Sequence, residues 1–432
     1  MNHQQLKERA LCIAKPAQHF QLIIEESGME SLFIWGDERE SIKVQLNQDG
    51  HITSYFVSKD SYEVPANEEI SQEERRRLAD QFLLAHYPNA LADFTFYKSG
   101  MLEDIEEFRY GQLVMDLPLA NAGIVVGLDK AGNLVELMDM GKLPIPEIPT
   151  KLVDKDILHE NAKAHICMRL VVAKIAEQPR LVYELDDIYP IYQADMLEPT
   201  IDQPICNIRY ETLPLFASKP NLSLEEVLGL GNMQVVDEKV YNNVKRIVWG
   251  ENKAGDLYER TVHARVDMHT GQLIGMTWFK ERQGNLQLSY EEALQRAIDF
   301  LQLVVPELYP YLQLEIDERD SYLTFRFRLM KTQNIKTHYW VTVKINCSTG
   351  DVESYHGQHV DMEKLRQVPD MPAISAQQAK EIFLAHLAFR LEWDMGNEIG
   401  SSKLMYYGYD KETGKRLGYV DALSGAVITY RD

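Results

Sequence analysis

A short hairpin segment repeats along this chain of 432 residues, and its clearest copy reads Arg265-Val266-Asp267-Met268-His269-Thr270-Gly271-Gln272-Leu273-Ile274-Gly275. Its apolar ends favour extended strands, and the Asp267 carboxylate can accept hydrogen bonds from the amides of the turn that follows it. Gly271 can adopt a positive φ without steric cost. The segment therefore predicts a β-hairpin whose loop has about three to five residues and ends in a left-handed glycine.

The same turn pattern returns at other places along the chain. Each copy places Asp or Asn shortly before glycine, in residues 47–50, 129–132, 346–350 and 421–425. A further copy is expected at residues 192–199, where the glycine is missing. His269 does not recur, since the other copies have Gln48, Lys130, Ser348 and Leu423 there. We interpret the acid or amide and the glycine as turn residues of the fold.

Longer matches indicate an internal duplication. A helix start at Ser71 returns 218 residues later at Ser289, and Trp35 returns 214 residues later at Trp249. Each unit predicts one helix followed by an antiparallel β-meander, so we expect an α+β fold of three units duplicated once. The predicted first half is 1–200 (units about 1–62, 68–143 and 150–200), a linker covers 201–220, and the second half is 221–432 (units about 221–282, 287–360 and 370–432). Because units of about 70 residues bury little apolar surface, neighbouring units should pack or pair edges.

Composition excludes several classes of partner. The formal net charge of -21 argues against binding to a nucleic-acid backbone and against docking on anionic lipid. The N-terminal residues show no secretory signal pattern, and no apolar run reaches the length of a membrane span. Four cysteines are scattered at positions 12, 167, 206 and 347, which predicts reduced, partly buried thiols. We expect a cytoplasmic protein.

A family resemblance rests on the repeated pattern. A helix followed by a meander that ends in Val-Asp-x-x-Thr-Gly-x-Leu/Ile resembles the PepSY-like modules of the YcdB/YcdC repeat proteins, and residues 374–425 are especially similar to the last module. The resemblance covers nearly the whole chain, is strongest over 245–432 and is weakest over 140–220. It implies helices packed on antiparallel sheets, carries over no catalytic residue and suggests a protein-binding role. Family members are often exported, whereas this sequence shows no signal pattern.

Two histidines form a candidate metal site. His356 and His359 are three residues apart, with Asp361 and Glu363 as further ligands. Because they follow a predicted strand and enclose a glycine, we favour a solvated loop over a metal site.

Other polar groups have a structural interpretation as well. His159 and His165 should lie on different faces of one helix. The acidic runs 103–107 and 184–187 lack the alternating ligands and central glycine of a calcium loop, which predicts solvated faces. Trp35 and Trp249 recur at equivalent positions, and we expect core packing rather than two anchors in a binding groove.

Nucleophile and phosphate-binding signatures are absent from the sequence. Gly229-Leu230-Gly231 lacks the third glycine of a dinucleotide fingerprint. We therefore assign no catalytic, cofactor-binding or metal-binding residue and predict a protein-binding or regulatory protein that is not an enzyme and that restrains or chaperones a peptidase or another protein. The alternatives are a hydrolase or metal-dependent enzyme with a site in the cleft between the halves, and a structural scaffold.

Overall fold

The structure is a computed structural model of the chain. It describes all residues except 17, 38–39, 60–64, 66, 88, 187–188, 199–207, 216–222, 242, 252–260, 280–281, 317–323, 397–400 and 431–432. Most of the predicted linker 201–220 lies outside the described residues. No helix in the described part of the chain is both long and apolar enough to cross a bilayer.

Strands outnumber helices in the described residues, in agreement with the predicted α+β class. The helices are α1 His3–Ala14, α2 Gln72–His86, α3 Ala90–Asp93, α4 Lys155–His165, α5 Leu224–Leu228, α6 Tyr290–Val304, α7 Met362–Gln367 and α8 Ala376–His386, with a short 3₁₀ helix at Tyr309–Tyr311. The PepSY-like character of the modules stays a prediction.

The strands fall into three sheets. Those of the first sheet are β1 Gln21–Ser27, β2 Glu30–Gly36, β3 Ser41–Asn47, β4 Ile52–Ser58, β5 Thr95–Leu102, β6 Ile105–Val114, β7 Leu117–Asp129 and β8 Leu134–Gly141. Between them and the second half lie β9 Met168–Ile175, β10 Gln178–Leu185, β11 Ile191–Gln193 and β12 Arg209–Thr212. The remainder are β13 Gln234–Tyr241, β14 Val244–Gly250, β15 Val262–Asp267, β16 Leu273–Trp278, β17 Leu312–Ile316, β18 Thr324–Thr332, β19 Ile335–Ile345, β20 Val352–His356, β21 Leu387–Met395, β22 Ser402–Asp410, β23 Leu417–Asp421 and β24 Val427–Thr429.

Neighbouring sequence units share a sheet, as expected for units too small to stand alone. The first sheet has the order β1-β2-β3-β4-β8-β7-β6-β5. Antiparallel pairing of β4 with β8 joins the meanders of the first two units. In the second half β16 pairs with β20 in the same way. The repeated junction reflects the duplication of the sequence.

The third and last units are interleaved. β9 pairs with β19 in parallel, through Lys336 and Val171, and β10 pairs with β23 through Val182 and Asp421. The second sheet therefore contains β9, β10 and β12–β20 together with β23 and β24, while β11 pairs with β22 and β21 in a third sheet.

The chain folds into two compact units whose bounds differ from the two sequence halves. Unit 1 comprises Met1–Asp154, Ile191–Glu198 and Phe389–Tyr407, and unit 2 comprises Lys155–Pro190, Pro199–Ala388 and Gly408–Asp432. Residues 155–190 belong to unit 2, rather than with residues 1–150, because β9 and β10 pair with strands of the second half.

Helix ends follow local capping with two departures from expectation. Ser71 caps α2, but the Glu74 side chain pairs with Arg77 and does not complete a capping box, whereas Ser289 forms the full box of α6 with Glu292. The third helix ends at His165 rather than near Met168, because the run from Met168 to Ile175 is rich in β-branched residues and forms β9.

The repeated turns have the predicted geometry. Gly50, Gly132, Gly271, Gly350 and Gly425 all have positive φ, between 70° and 87°. In each turn the side chain of the first residue accepts backbone amides, as Asp421 does from Leu423 at 3.0 Å and Ser424 at 2.9 Å. The eroded copy at 192–199 ends its strand without a hairpin, since β11 pairs with β22 instead.

The structure adds a sixth turn of this kind, which the sequence comparison missed. Asp410 accepts hydrogen bonds from the Thr413 amide and hydroxyl, and Gly414 follows with φ of 68°. His386 Nδ1 lies 3.0 Å from Asp410 Oδ1. Burial alone would raise the pKa of Asp410, but the hydrogen bonds from Thr413 and His386 hold that pKa at about 2.

Both repeated tryptophans lie in the core, which confirms the expected role. Trp35 is 5% exposed and Trp249 is 1% exposed. Trp35 stacks on Phe33 with ring centroids 5.9 Å apart. Burial of these large rings excludes them as exposed anchors of a groove.

Replacement of Trp249 by alanine should destabilise the protein. Removing a fully buried ring of this size costs roughly 3–5 kcal/mol of unfolding free energy, measured by urea denaturation. The matched control is Tyr241→Ala, which truncates an aromatic residue that is 58% exposed and should change the unfolding free energy by less than about 0.5 kcal/mol. Equal effects of the two substitutions would contradict the core assignment.

The Asp410 carboxylate should make stability depend on pH in the acid range. Because its pKa falls from an ordinary value of 3.8 to about 2 on folding, its contribution is complete above pH 3.8 and disappears as the pH falls through the folded value. Asp410→Asn should therefore lower the melting temperature at pH 6 and flatten its decline between pH 4 and pH 2, followed by circular dichroism. Asp49→Asn, at an exposed position of another turn, is the control and should leave the profile unchanged.

Candidate functional site

A cavity opens beside the turn at Asp267–Gly271 in unit 2. It measures about 620 Å³ and is lined by residues 269–272 of the turn, 304–308 after α6, 359–363 before and within α7, and Arg366. We call this space the turn cavity. Backbone of the hairpin turn forms one wall, and the carboxyl end of α6 faces it.

Asp267 organises the turn wall. Its Oδ1 accepts hydrogen bonds from the amides of His269 at 2.9 Å and Thr270 at 2.8 Å, and from the Thr270 hydroxyl at 3.0 Å. Its Oδ2 lies 3.0 Å from His359 Nδ1. Burial alone would raise the pKa of Asp267, but the hydrogen bonds from Thr270 and His269 hold it below its ordinary value. Asp267 is therefore a carboxylate committed to holding the turn and His359.

The remaining lining is predominantly acidic. Glu307, Asp361 and Glu363 carry negative charge, and Arg366 is the arginine of the lining. Asp361 caps α7 by accepting the Lys364 amide at 3.0 Å, a hydrogen bond that holds the pKa of Asp361 below its ordinary value. The cavity therefore favours cationic groups over anionic ones.

The Gly271 turn differs from the other turns in what covers its glycine. A Cβ built on Gly132 would lie 2.6 Å from Leu78 of α2, and one on Gly350 would lie 2.6 Å from Arg296 of α6. The corresponding neighbours are Met1 and Arg9 at Gly50, and Ile382 of α8 at Gly425. At Gly271 no described atom lies within 4 Å of such a Cβ.

The length of the preceding helix explains this difference. α1, at the start of the first unit, has 12 residues, whereas α5, at the start of the second half, has five. α1 packs against β2 and β3, while α5 packs against α6. As a consequence Leu46, just before the first turn, is fully buried, whereas Val266, just before the Gly271 turn, is partly exposed.

The structure does not assemble the histidines and acids of the sequence-predicted metal site. His359 pairs with Asp267, Asp361 caps α7, and burial together with the charge of Arg265 lowers the pKa of His356. Within the described residues no group of three His, Cys, Asp or Glu side chains is placed to hold a metal ion.

His159 and His165 have structural hydrogen bonds. His159 Nε2 lies 3.0 Å from Leu384 O in α8, and His165 Nδ1 lies 2.9 Å from Asn161 O one turn earlier in its own helix. These contacts agree with the structural interpretation of both residues.

The prediction that the acidic runs are solvated faces is wrong for two of their residues. Glu106 is 2% exposed and pairs with Arg75 at 2.7 Å. Glu184 is 8% exposed and contacts Arg169 at 2.7 Å and His338 at 2.6 Å. Burial alone would raise the pKa of Glu184, but His338 and Arg169 hold it below its ordinary value. Cations from distant strands and helices neutralise these acids, which sequence spacing could not reveal.

The expected partial burial of the cysteines is wrong for two of them. Cys12 and Cys167 are exposed free thiols, while Cys347 has intermediate exposure. The buried face of α1 carries Leu6, Ala10 and Ala14, so Cys12 projects away from the core. Cys206 lies outside the described residues. Gly229, in the segment compared with a dinucleotide fingerprint, ends α5 in a left-handed conformation.

Sequence reasoning missed three features of the site region. The sixth turn could have been found, since residues 410–414 repeat the Asp-x-x-Thr-Gly pattern of residues 267–271. The Asp267–His359 pair and the contact of Arg9 with Gly50 join residues far apart in sequence and left no local pattern.

Comparisons with known proteins agree with the repeat architecture. Residues 3–138 and 231–359 each match the YcdB, YcdC repeated domain. The chain is 26% identical to the YcdC protein of Bacillus subtilis (strain 168) over 94% of its own length and 96% of that protein, and 26% identical to YcdB of the same organism over 96% of this chain and 93% of that protein. The Bacillus megaterium YpeB C-terminal domain aligns at 17% identity with a TM-score of 0.27, over 48% of this chain and 94% of the domain.

Proposed function

The chain belongs to the family of the YcdB, YcdC repeated domain, and from that premise we propose that it is a non-enzymatic protein that binds a protein partner in the turn cavity. One observation carries the proposal: the Gly271 turn has no described neighbour over its glycine, whereas the four matching turns do. A regulatory role, in which binding restrains or chaperones the partner, follows from such docking.

The arrangement of polar groups in the cavity supports recognition rather than catalysis. Both oxygens of Asp267 are engaged by the turn and by His359, and Asp361 is engaged by α7. Groups held in this way shape a rigid surface, and a rigid surface with a few placed charges favours specific docking. Half-exposed Val266 and the exposed turn backbone add the apolar and hydrogen-bonding surface that a partner would cover.

The proposal predicts that reversing two cavity charges abolishes partner capture. The variant Glu307→Lys/Glu363→Lys spares Asp361, which caps α7, and changes two exposed side chains. We expect affinity capture from the native cells, read by quantitative mass spectrometry, to lose at least about 90% of the specific partner.

The matched control is Glu211→Lys/Glu412→Lys, which makes the same change in net charge at exposed positions outside the lining. It should capture the partner as the natural protein does, and both variants should keep its melting temperature. Lack of any reproducible partner, together with robust hydrolytic activity of the purified protein, would overturn the proposal.

The alternative is a hydrolase, and the Asp267–His359 pair is the observation that favours it. A carboxylate 3.0 Å from an imidazole nitrogen can orient a general base. If the protein is a hydrolase of this kind, His359→Ala should lower its rate on a panel of ester and peptide substrates by at least about 100-fold. The non-enzymatic proposal predicts no turnover above buffer for either protein, and His269→Ala in the same cavity is the control.

A further inference from the structure

In unit 1, α1 shows what covers a turn of this kind. Leu6, Ala10 and Ala14 are spaced four residues apart and are buried on the face that packs against β2 and β3. The opposite end of the contact is polar. The Arg9 guanidinium donates to Gly50 O, and the Met1 ammonium donates to Gln48 O at 2.6 Å.

Arg9 occupies the place that corresponds to the turn cavity. Besides contacting Gly50, it lies close to the end of α2: burial, and then the charge of Arg9, lower the pKa of His86. Val304 and Val305 stand 218 residues after His86 and Tyr87, and both line the turn cavity next to Gly271. Tyr87 is buried with its hydroxyl bonded to Ile52 O, and the smaller Val305 leaves more room in the second copy.

The turn carbonyls that α1 satisfies in unit 1 have counterparts at the cavity wall. Gly271 stands for Gly50, and His269 stands for Gln48, two residues before the glycine. Carbonyl oxygens accept charge-assisted hydrogen bonds from guanidinium and ammonium groups, and such bonds are stronger than those between neutral groups.

The second copy has also gained negative charge around this place. Residues 218 positions before Glu307, Asp361 and Glu363 are Asn89, Leu143 and Ile145. Each acid of the cavity therefore replaces a neutral residue of the first copy. The copy with the short helix α5 is the one whose lining is suited to a cation.

We propose that the turn cavity receives an arginine-bearing amphipathic helix of a partner protein, in the manner in which α1 covers the first turn of unit 1. The inference rests on the proposed function, because it names the chemistry of the partner bound at that same cavity. The arginine lies between Glu307 and Glu363 and donates to the carbonyl of Gly271. Small apolar residues of the helix cover Val266 and the Gly271 end of β14 and β15.

A peptide with the sequence of residues 1–14 tests the occupant directly. The probe is held helical by a lactam between positions 4 and 8, which are exposed on α1 and spaced one turn apart, and it carries Cys12→Ser. Binding to the full chain is measured by calorimetry and by chemical-shift changes. We expect Arg9→Gln in the peptide to weaken binding about tenfold, which corresponds to one charge-assisted hydrogen bond of about 1.4 kcal/mol.

Controls separate the arginine site from general charge attraction. Lys7→Gln in the peptide removes the same charge from a side chain that in unit 1 pairs with Glu25 instead of the turn, so binding should change by less than about twofold. In the protein, Glu307→Lys/Glu363→Lys should abolish peptide binding, whereas Glu211→Lys/Glu412→Lys should retain it.

Three results would overturn the inference: no binding of the helical probe, equal weakening by Arg9→Gln and Lys7→Gln, or binding that survives the cavity reversal. If such a result accompanies partner capture that still depends on Glu307 and Glu363, the cavity binds a partner of another chemistry and the proposed function stands. If the probe binds as expected but no partner is captured, the cavity recognises an arginine helix and the proposed function fails.

Discussion

The hydrogen bonds that close each hairpin turn are the interaction on which the rest of the structure depends. A side-chain oxygen of Asp or Asn accepts two amides of the turn, which have no partner in the strand ladder, and a left-handed glycine then returns the chain. Since an acid and an amide both offer this oxygen, Asn346 and Asp267 serve equally well. Conversely, β11 lacks the glycine and pairs with a strand far along the chain.

Because turn geometry fixes the register of each hairpin, whole units can join edge to edge. The β4–β8 and β16–β20 pairs are formed by the last strands of neighbouring meanders, so two units share one continuous sheet in each half. Such pairing satisfies edge strands that would otherwise expose unpaired amides and carbonyls. The third and last units obtain the same benefit by interleaving β9 and β10 with β23.

Local features were predictable from the sequence, and long-range ones were not. Turn glycines, the caps at Ser71 and Ser289, and the burial of Trp249 follow from residues within a few positions of one another. The parallel β9–β19 pair joins Val171 to Lys336, and nothing in either strand specifies the other. Acidic runs were misjudged for the same reason, since the cation that neutralises Glu106 is Arg75 on a helix 31 residues away. The turn cavity depends on the length of a helix, α5, whose sequence signal is a single capping box.

Differences between the duplicated copies carry the functional information. The Asp267 turn remains intact without a covering helix, because its hydrogen bonds lie within the turn itself. Loss of cover alone would leave a neutral notch like the lining of the first copy, with Asn89, Leu143 and Ile145 at the matching positions. Instead three acids stand there, and clustered like charges repel one another and disfavour the compact state. Stability of the isolated chain therefore gives no reason for their presence together, whereas recognition of a cationic partner does.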